Sequence, residues 1–144
     1  MSAAPNTNAA RSANAYLTTR VLTATPEELR MMLLDGALKF ARQGRDGLAR
    51  RNYEQSFLGL SQCRDIVLEL MSTIKDEPNP ELAAQVRAVY AFLYQTLVQA
   101  GHDKDLPGID KAIKLLEYER ETWALLMQKL SEERQAEPAP AHQA

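Results

Sequence analysis

Side chains that could support catalysis or bind a metal are few in this sequence. Helical bundles often hold two metal ions through inward-facing Glu-x-x-His pairs, but the histidines are His102, in a predicted loop, and His142, near the C-terminus. Cys63 falls in the middle of a predicted helix, where packing is a far commoner role for cysteine than nucleophilic catalysis. Asp35 is a single helical carboxylate, expected to be solvated or paired with Lys39. The sequence therefore predicts no catalytic residue, no metal ligand and no cofactor, and it favours a non-enzymatic protein.

The composition argues against several classes of partner and location. Seventeen Lys and Arg against nineteen Asp and Glu give a net charge of −2, without a long block of one sign, which disfavours a nucleic-acid or anionic-membrane binder. One cysteine cannot form an intramolecular disulfide and suits a reducing compartment. The first 22 residues lack the apolar stretch of a signal peptide, and no run of 18 apolar residues occurs. We therefore expect a cytoplasmic protein without a membrane span.

Helical periodicity and helix-start signals predict an all-α fold. No segment alternates strictly between apolar and polar residues, whereas apolar residues recur every three to four positions from residue 29 to residue 130. Thr25-Pro26-Glu27-Glu28 is a strong helix start, and Asn52, Asn79 and Asp105 are placed to begin three more helices. The predicted helices cover about 26–50, 53–75, 80–101 and 105–134, with Gly101 as a left-handed stop. Short loops between long helices predict an antiparallel up-down four-helix bundle.

The two ends of the chain differ from this domain, which we place at residues 15–134. Residues 1–14 and 135–144 are too poor in apolar side chains to offset the entropy of ordering and are predicted to be disordered. Residues 15–24 are more apolar, and we expect this segment to pack on the bundle as a short arm or helix.

The first predicted bundle helix carries more apolar side chains than one core-facing stripe requires. Its expected core stripe includes Leu29, Leu33 and Phe40, and a second stripe, Met31, Leu34 and Leu38, lies roughly 120 to 180° away. The third helix carries a similar stripe of Tyr90, Tyr94 and Val98, and the core is expected to include Val89, Leu116 and Trp123 as well. Either the 15–24 arm or a homodimer covers the extra stripes, or they form grooves for an apolar segment of another protein.

The sequence resembles one known family over residues 15 to about 130. Ala15-Tyr16, then Val21-x-Thr23-Ala24-Thr25-Pro26-Glu27-Glu28-Leu29 and Met32-Leu33-Leu34-Asp35-Gly36-Ala37, are similar to the N-terminal signature of the flagellar secretion chaperone FliS family. Leu115-Leu116 and Arg120-Glu121-Thr122-Trp123 are similar to its last-helix pattern. The sequence departs from the family where Leu34 replaces a usual Tyr, and where Gly44, Gly47 and Pro107 replace stronger helix formers.

The resemblance implies a bacterial cytosolic chaperone for flagellin. Such a protein binds the disordered C-terminal segment of newly made flagellin, prevents premature polymerisation and assists flagellar type III secretion. Export-apparatus components are further candidate partners, and a self-assembling helical adaptor or scaffold, working as a homodimer, is the alternative. The predicted partner-binding residues, as arm or client contacts, are Tyr16, Leu17, Val21, Leu22, Met31, Leu34, Leu38, Tyr94 and Val98. For Tyr16 and Val21, capping the free protein is an equally good interpretation.

Overall fold

The fold is all-helical. The computed structural model describes residues 7–136, and within them the chain forms helices and no strands. The predicted disordered residues 1–6 and 137–144, with His142, lie outside the described range. The helices are α1 (Thr7–Thr23), α2 (Pro26–Ala49), α3 (Tyr53–Ser72), α4 (Pro80–His102) and α5 (Leu106–Ala136).

Side-chain caps begin the four long helices at the predicted places. The Thr25 hydroxyl accepts from the Glu28 amide at 3.1 Å, and the side chains of Asn52 and Asn79 accept from amides three residues later at 3.2 Å. Asp105 likewise accepts from the amide of Gly108 at 3.1 Å. Each cap satisfies a backbone donor that has no partner inside the helix, so each helix start is determined locally.

Helix ends follow the sequence less closely. α3 ends at Ser72, about three residues before the predicted end, and α4 continues through Gly101 to His102. The left-handed conformation predicted for Gly101 is found instead at Lys104, with φ 53°. Gly101 is therefore a helical residue, and the turn between α4 and α5 is made by a lysine.

Helices α2 to α5 pack around a common apolar core. α2 contacts α3 and α5, and α4 contacts the same two helices. The core takes side chains from all four helices, and its largest fully buried members are Leu34, Leu60, Val67, Leu70, Tyr90, Leu93, Leu97, Ile109 and Leu116. Of the six predicted core residues, only Leu116 is fully buried. Leu33, Phe40 and Trp123 pack against the core while partly buried, and Leu29 and Val89 are also only partly buried.

Small residues allow α2 and α3 to approach very closely. A Cβ added at Gly59 would lie 2.5 Å from the Gly44 backbone nitrogen and 2.7 Å from the Phe40 carbonyl oxygen. A Cβ at Gly47 would lie 2.6 Å from the Ser56 nitrogen. The backbones of the two helices are thus in direct contact, which no larger side chain at Gly44 or Gly59 would permit.

Ion pairs connect the other flank of α2 to α5. Arg45 binds Asp110 at 2.9 Å and Arg42 binds Glu117 at 3.3 Å, while Asp35 binds Arg120. The paired residue numbers rise along α2 as they fall along α5. Asp35 is therefore paired across helices with Arg120, rather than solvated or paired with Lys39 as the sequence suggested.

The second apolar stripe of α2 belongs to the core, contrary to the prediction that it contacts a partner. Leu34 is 0 % exposed and Leu38 is 3 % exposed, while Met31 is partly buried. At 100° per residue, the buried residues of α2 span an arc of about 180°, from Gly47 through Ala37 to Leu38. α2 can bury so wide an arc because it packs on α3 at one side and on α5 at the other.

The N-terminal helix does not pack on the bundle as expected. α1 also begins within the segment predicted to be disordered, and it makes no extensive packing contact with the other helices. Its apolar side chains Tyr16, Leu17, Val21 and Leu22 are all exposed, Leu22 at 79 %. At 100° per residue, these four side chains are spread over an arc of about 240° around the helix axis. α1 therefore lacks the single apolar face with which a helix packs on other helices.

Candidate protein-binding surface

Three open grooves on the helical domain form the candidate functional site. The end groove has a volume of about 810 Å³ and lies where α2 and α4 begin and α3 ends. The α3–α4 groove, of about 480 Å³, and the α4–α5 groove, of about 640 Å³, lie on either side of the C-terminal half of α4. Concave surfaces with apolar linings are where proteins commonly bind segments of a partner.

The end groove has a mainly apolar lining contributed by four helices. Two turns of α2, the α3–α4 loop and the first turns of α4 surround it, and Trp123 of α5 completes one wall. Its large apolar residues are Leu29, Leu33, Ile74, Leu82, Val86 and Trp123. Leu29 and Leu33, predicted as core, are only partly buried and line this groove.

A polar network centred on Arg30 supports the wall of the end groove. The guanidinium of Arg30 donates to the Thr73 hydroxyl at 3.0 Å and to the Tyr90 hydroxyl at 2.9 Å, and it lies 5.0 Å from the Trp123 ring centroid. The indole nitrogen of Trp123 donates to the Glu27 carbonyl oxygen at 3.1 Å. The network therefore connects α2, α4 and α5 with the residue that follows α3, and it holds Trp123 in position.

Burial affects the titration of two groups near this network. Removal from water raises the pKa of the Glu119 carboxyl, and the nearby Arg30 charge opposes that shift. Removal from water also raises the pKa of the Tyr90 hydroxyl. Both groups therefore favour their neutral forms more than they would in water.

The α3–α4 groove is rimmed by aromatic residues and Val98. Leu48 and Leu60 line the groove together with Tyr53, Phe57, Tyr94, Val98, Ser56, Gly101, Arg64, His102 and Lys104. Phe57 is 65 % exposed and Val98 is 41 % exposed, whereas Tyr94 is partly buried against the core. The Lys104 ammonium lies 4.1 Å from the centroid of the Tyr53 ring. The groove thus combines accessible apolar side chains with positive charge.

The α4–α5 groove shares Tyr94 and Val98 with its neighbour. Its further lining includes Phe92, which is largely exposed, the small residues Ala100 and Gly108, and the charged residues Asp105 and Lys111. Tyr94 and Val98 therefore form a ridge between two grooves. A partner that covers this ridge contacts both.

The nine predicted partner-binding residues separate into four groups in the structure. Tyr94 and Val98 lie together on the ridge of α4, whereas Leu34 and Leu38 are buried in the core. Met31 is partly buried and lines none of the three grooves. The four α1 residues are exposed but line none of the grooves: Tyr16, Leu17, Val21 and Leu22.

Sequence reasoning missed several aromatic residues of this surface. Tyr53, Phe57 and Phe92 were not among the predicted partner-binding residues, although Tyr53 and Phe57 follow the apolar repeat of α3. The buried stripe of α3 runs instead through Ser56, Gly59, Leu60, Cys63, Val67 and Leu70. One signal was available: Ser56, Gly59 and Cys63 form a stripe of small residues at helical spacing, offset from the two aromatic residues.

Residues 7–136 give little support for metal binding, for a reactive thiol or for a membrane span. That part of the chain contains no cluster of three or more His, Cys, Asp or Glu side chains placed to hold a metal ion. Cys63 is buried, and burial raises the pKa of its thiol to about 12. None of the helices described is long and apolar enough to cross a membrane.

An all-helical domain whose surface carries several apolar grooves belongs to the class of small helical protein-binding domains. The model of the family described as flagellar protein FliS matches residues 8–130, so the chain belongs to that family. The match covers α2, α3 and α4 and most of α1 and α5.

Curated relatives agree with the family match. The chain is 37 % identical over 91 residues to the flagellar secretion chaperone FliS of Bacillus subtilis, covering 63 % of this chain and 67 % of that one. It is 25 % identical over 100 residues to the flagellar secretion chaperone FliS of Vibrio cholerae, covering 69 % and 74 %. The chaperone of the same name from Campylobacter jejuni is 24 % identical over 110 residues, covering 76 % and 86 %.

Proposed function

We propose that this protein is a cytosolic export chaperone that binds the C-terminal segment of flagellin in a bacterium. It prevents premature polymerisation of flagellin and assists flagellar type III secretion. The family match over residues 8–130 carries the proposal, together with curated relatives that are named flagellar secretion chaperones. In this role the protein binds its client without catalysis, nucleotide or metal.

The arrangement of the grooves supports a client that wraps around the domain. In our proposal, α2 to α5 form an up-down four-helix bundle, and the end groove lies at one end while the ridge of Tyr94 and Val98 lies along α4. Val86 of the end groove and Tyr94 of the ridge are eight residues apart on α4, about 12 Å along the helix axis and about 80° around it, so in our proposal the client follows the surface in several pieces. A disordered segment suits this task, since burial of its apolar side chains offsets the entropy lost on ordering.

Two groups of residues are proposed as client contacts. Tyr94 and Val98 contribute from the ridge of α4, with Phe57 and Phe92 on either side. The exposed residues Tyr16, Leu17, Val21 and Leu22 of α1 contribute either to client binding or to contact with export-apparatus components. Exposed apolar groups of this size generally mark surfaces that contact another molecule.

Calorimetric titration with two forms of flagellin tests the proposal. Monomeric flagellin is expected to bind with a negative heat-capacity change, because apolar surface is buried, and flagellin lacking its C-terminal segment is expected not to bind. Equal binding of the truncated form would show that the C-terminal segment is not the client.

Two charged substitutions on α3 test the contact surface. Phe57→Asp places a carboxylate in the α3–α4 groove and is expected to weaken client binding at least about tenfold, since it removes an aromatic anchor and buries a charge in the complex. Leu68→Asp is the matched control, because Leu68 is exposed on the same helix and lines none of the three grooves. Equal effects of the two substitutions would argue against a role for this groove.

Self-assembly is the competing proposal, favoured by the exposed apolar side chains of α1. A homodimer that buries Leu17 and Leu22 would act as a helical adaptor or scaffold. Light scattering at micromolar concentration separates the two functions: a dimer that persists when the flagellin C-terminal segment is added supports the scaffold, and a one-to-one complex supports the chaperone.

A further inference from the structure

The three grooves differ in the charges of their linings. The end groove contains Glu27 and Glu77 together with Arg30 and Lys75, so both signs are present. Its most buried cation, Arg30, is already engaged with Thr73 and Tyr90. A groove with balanced and occupied charges has little electrostatic preference for its ligand.

The α4–α5 groove is balanced in the same way. Asp105 and Lys111 are its charged residues. The carboxylate of Asp105 also accepts from the amide of Gly108 as the cap of α5. This groove likewise has no excess of one sign.

The α3–α4 groove is lined by Arg64, His102 and Lys104, and no carboxylate lines it. Within residues 7–136, neither Arg64 nor Lys104 forms an ion pair with a carboxylate. Arg64 donates to the Ser61 hydroxyl at 3.2 Å, and Lys104 lies over the Tyr53 ring. Both cations therefore lie at the mouth of an apolar groove without a carboxylate of residues 7–136 bound to them.

The acidic residues next to these cations in sequence, Asp65, Asp103 and Asp105, do not line the groove. Asp103 accepts from the Gln99 side chain at 2.8 Å, and Asp105 caps α5. Glu54 follows Tyr53 in sequence but lines a separate polar depression with Gln43 and Gln62. The Lys104 position is also defined by its backbone, whose φ of 53° belongs to the tight turn between α4 and α5.

We infer that the α3–α4 groove binds a segment of the client that carries acidic side chains beside its apolar anchors. The inference rests on the proposed function. It adds that the piece of the client in this groove is acidic as well as apolar. Apolar side chains of the segment pack on Phe57 and Val98, and its carboxylates lie near Arg64 and Lys104. Complementary charges of this kind fix the register of a segment and speed its association.

The same charges argue against α1 of a second copy as the occupant. α1 contains Arg11 and Arg20 and no acidic residue, so its charge has the same sign as that of the groove. Like charges brought together at an interface disfavour the complex. A foreign acidic segment therefore fits this groove better than self-association through α1.

Reversal of the two groove charges tests the inference. The double variant Arg64→Glu and Lys104→Glu is expected to bind the flagellin C-terminal segment about tenfold more weakly than wild type at about 20 mM salt. Near 300 mM salt the difference should shrink to about threefold or less, because salt screens exposed charges. Lys114→Glu with Lys129→Glu is the control, since it changes the net charge equally at positions that line none of the grooves; its affinity should stay within about twofold of wild type.

A second arm removes the charges from the client instead. Replacing the acidic residues of the flagellin segment by Asn and Gln should make the groove variant and wild type bind equally, because the two changes remove the same interaction. The neutral variant Arg64→Gln with Lys104→Gln should show a smaller loss, about threefold, and circular dichroism checks that each variant is folded.

The outcomes distinguish this inference from the function on which it rests. If wild type binds the segment and the groove variant binds it as well as the control does, the charge assignment is wrong and the chaperone function stands. If wild type does not bind the segment at all, the proposed function fails and this inference fails with it.

Discussion

The contact between α2 and α3 predicts an unusual effect of a glycine substitution. In a helix interior, replacing Gly by Ala normally stabilises a protein by roughly 1 kcal/mol, because Ala has the higher helix propensity. Gly59→Ala should do the opposite. The added Cβ would lie 2.5 Å from the Gly44 nitrogen, 2.7 Å from the Phe40 oxygen and 2.8 Å from the Gly44 Cα, and these are all backbone atoms.

The size of the effect follows from which atoms must move. An ordinary contact of a Cβ atom is 3.4 Å or longer, so the two helices must separate locally by close to 1 Å. Such overpacking against rigid atoms costs about 3 kcal/mol, at the upper end of the usual range. After subtraction of the roughly 1 kcal/mol gained in helix propensity, we expect the free energy of unfolding to fall by about 2 kcal/mol.

Gly36→Ala is the matched control. The Cβ at Gly36 would meet only the Cδ1 atom of Ile66, at 3.3 Å, and the end of that side chain can move aside. We expect this variant to be as stable as wild type, or more stable by up to about 1 kcal/mol. Urea unfolding followed by circular dichroism measures both variants, and a Gly59→Ala protein at least as stable as wild type would refute the close packing of α2 on α3.

Three further measurements test the core and the titrating groups. Burial raises the pKa of Glu119 above 4.5, so wild type loses stability as the pH rises from 4 to 7 and this carboxyl ionises. Gln does not ionise, so the stability of Glu119→Gln relative to wild type should increase over the same pH range. The gain should be under about 1 kcal/mol since the side chain is partly exposed. A gain that does not depend on pH would contradict the assignment. The Cys63 thiol, with its pKa raised to about 12, should react with a disulfide reagent at pH 8 about a thousandfold more slowly in the folded protein than in urea; comparable rates would show that it is accessible. Leu34→Ala should lower the free energy of unfolding by about 2 to 5 kcal/mol, because Leu34 is fully buried. Leu125→Ala, at an exposed site, should change it by about 0.5 kcal/mol or less. Similar losses in the two variants would show that Leu34 is not in the core.

The difference between the predicted and observed core lies in the small residues. Hydrophobic periodicity is dominated by large side chains such as those of Tyr53, Phe57 and Phe40. The closest contacts between helices are made instead by Gly44, Gly59 and their neighbours. A residue without a large side chain gives little signal in such a pattern, although it is what lets two backbones touch. Periodicity alone therefore does not separate the exposed aromatic residues Tyr53 and Phe57 from the buried stripe of α3.

The candidate surface could be predicted only in part. Tyr94 and Val98 were predicted as contacts because large apolar residues repeat every four positions on α4; both line two grooves, and their contact with a partner stays a prediction. Leu34 and Leu38 were assigned to the surface on the assumption that a helix buries one stripe. That assumption was wrong because α2 has two neighbours in the fold.

The sequence by itself determined the helical class, the four helix starts and the family. These depend on local hydrogen bonds, such as that from the Glu28 amide to Thr25, and on a long motif, so neighbouring residues are sufficient to specify them. Only the tertiary structure decided which stripe is core and which is groove, and where Arg30 meets Tyr90 and Trp123. Such contacts join residues 60 or more positions apart, and they depend on how helices rotate and approach one another, a property that no single helix encodes.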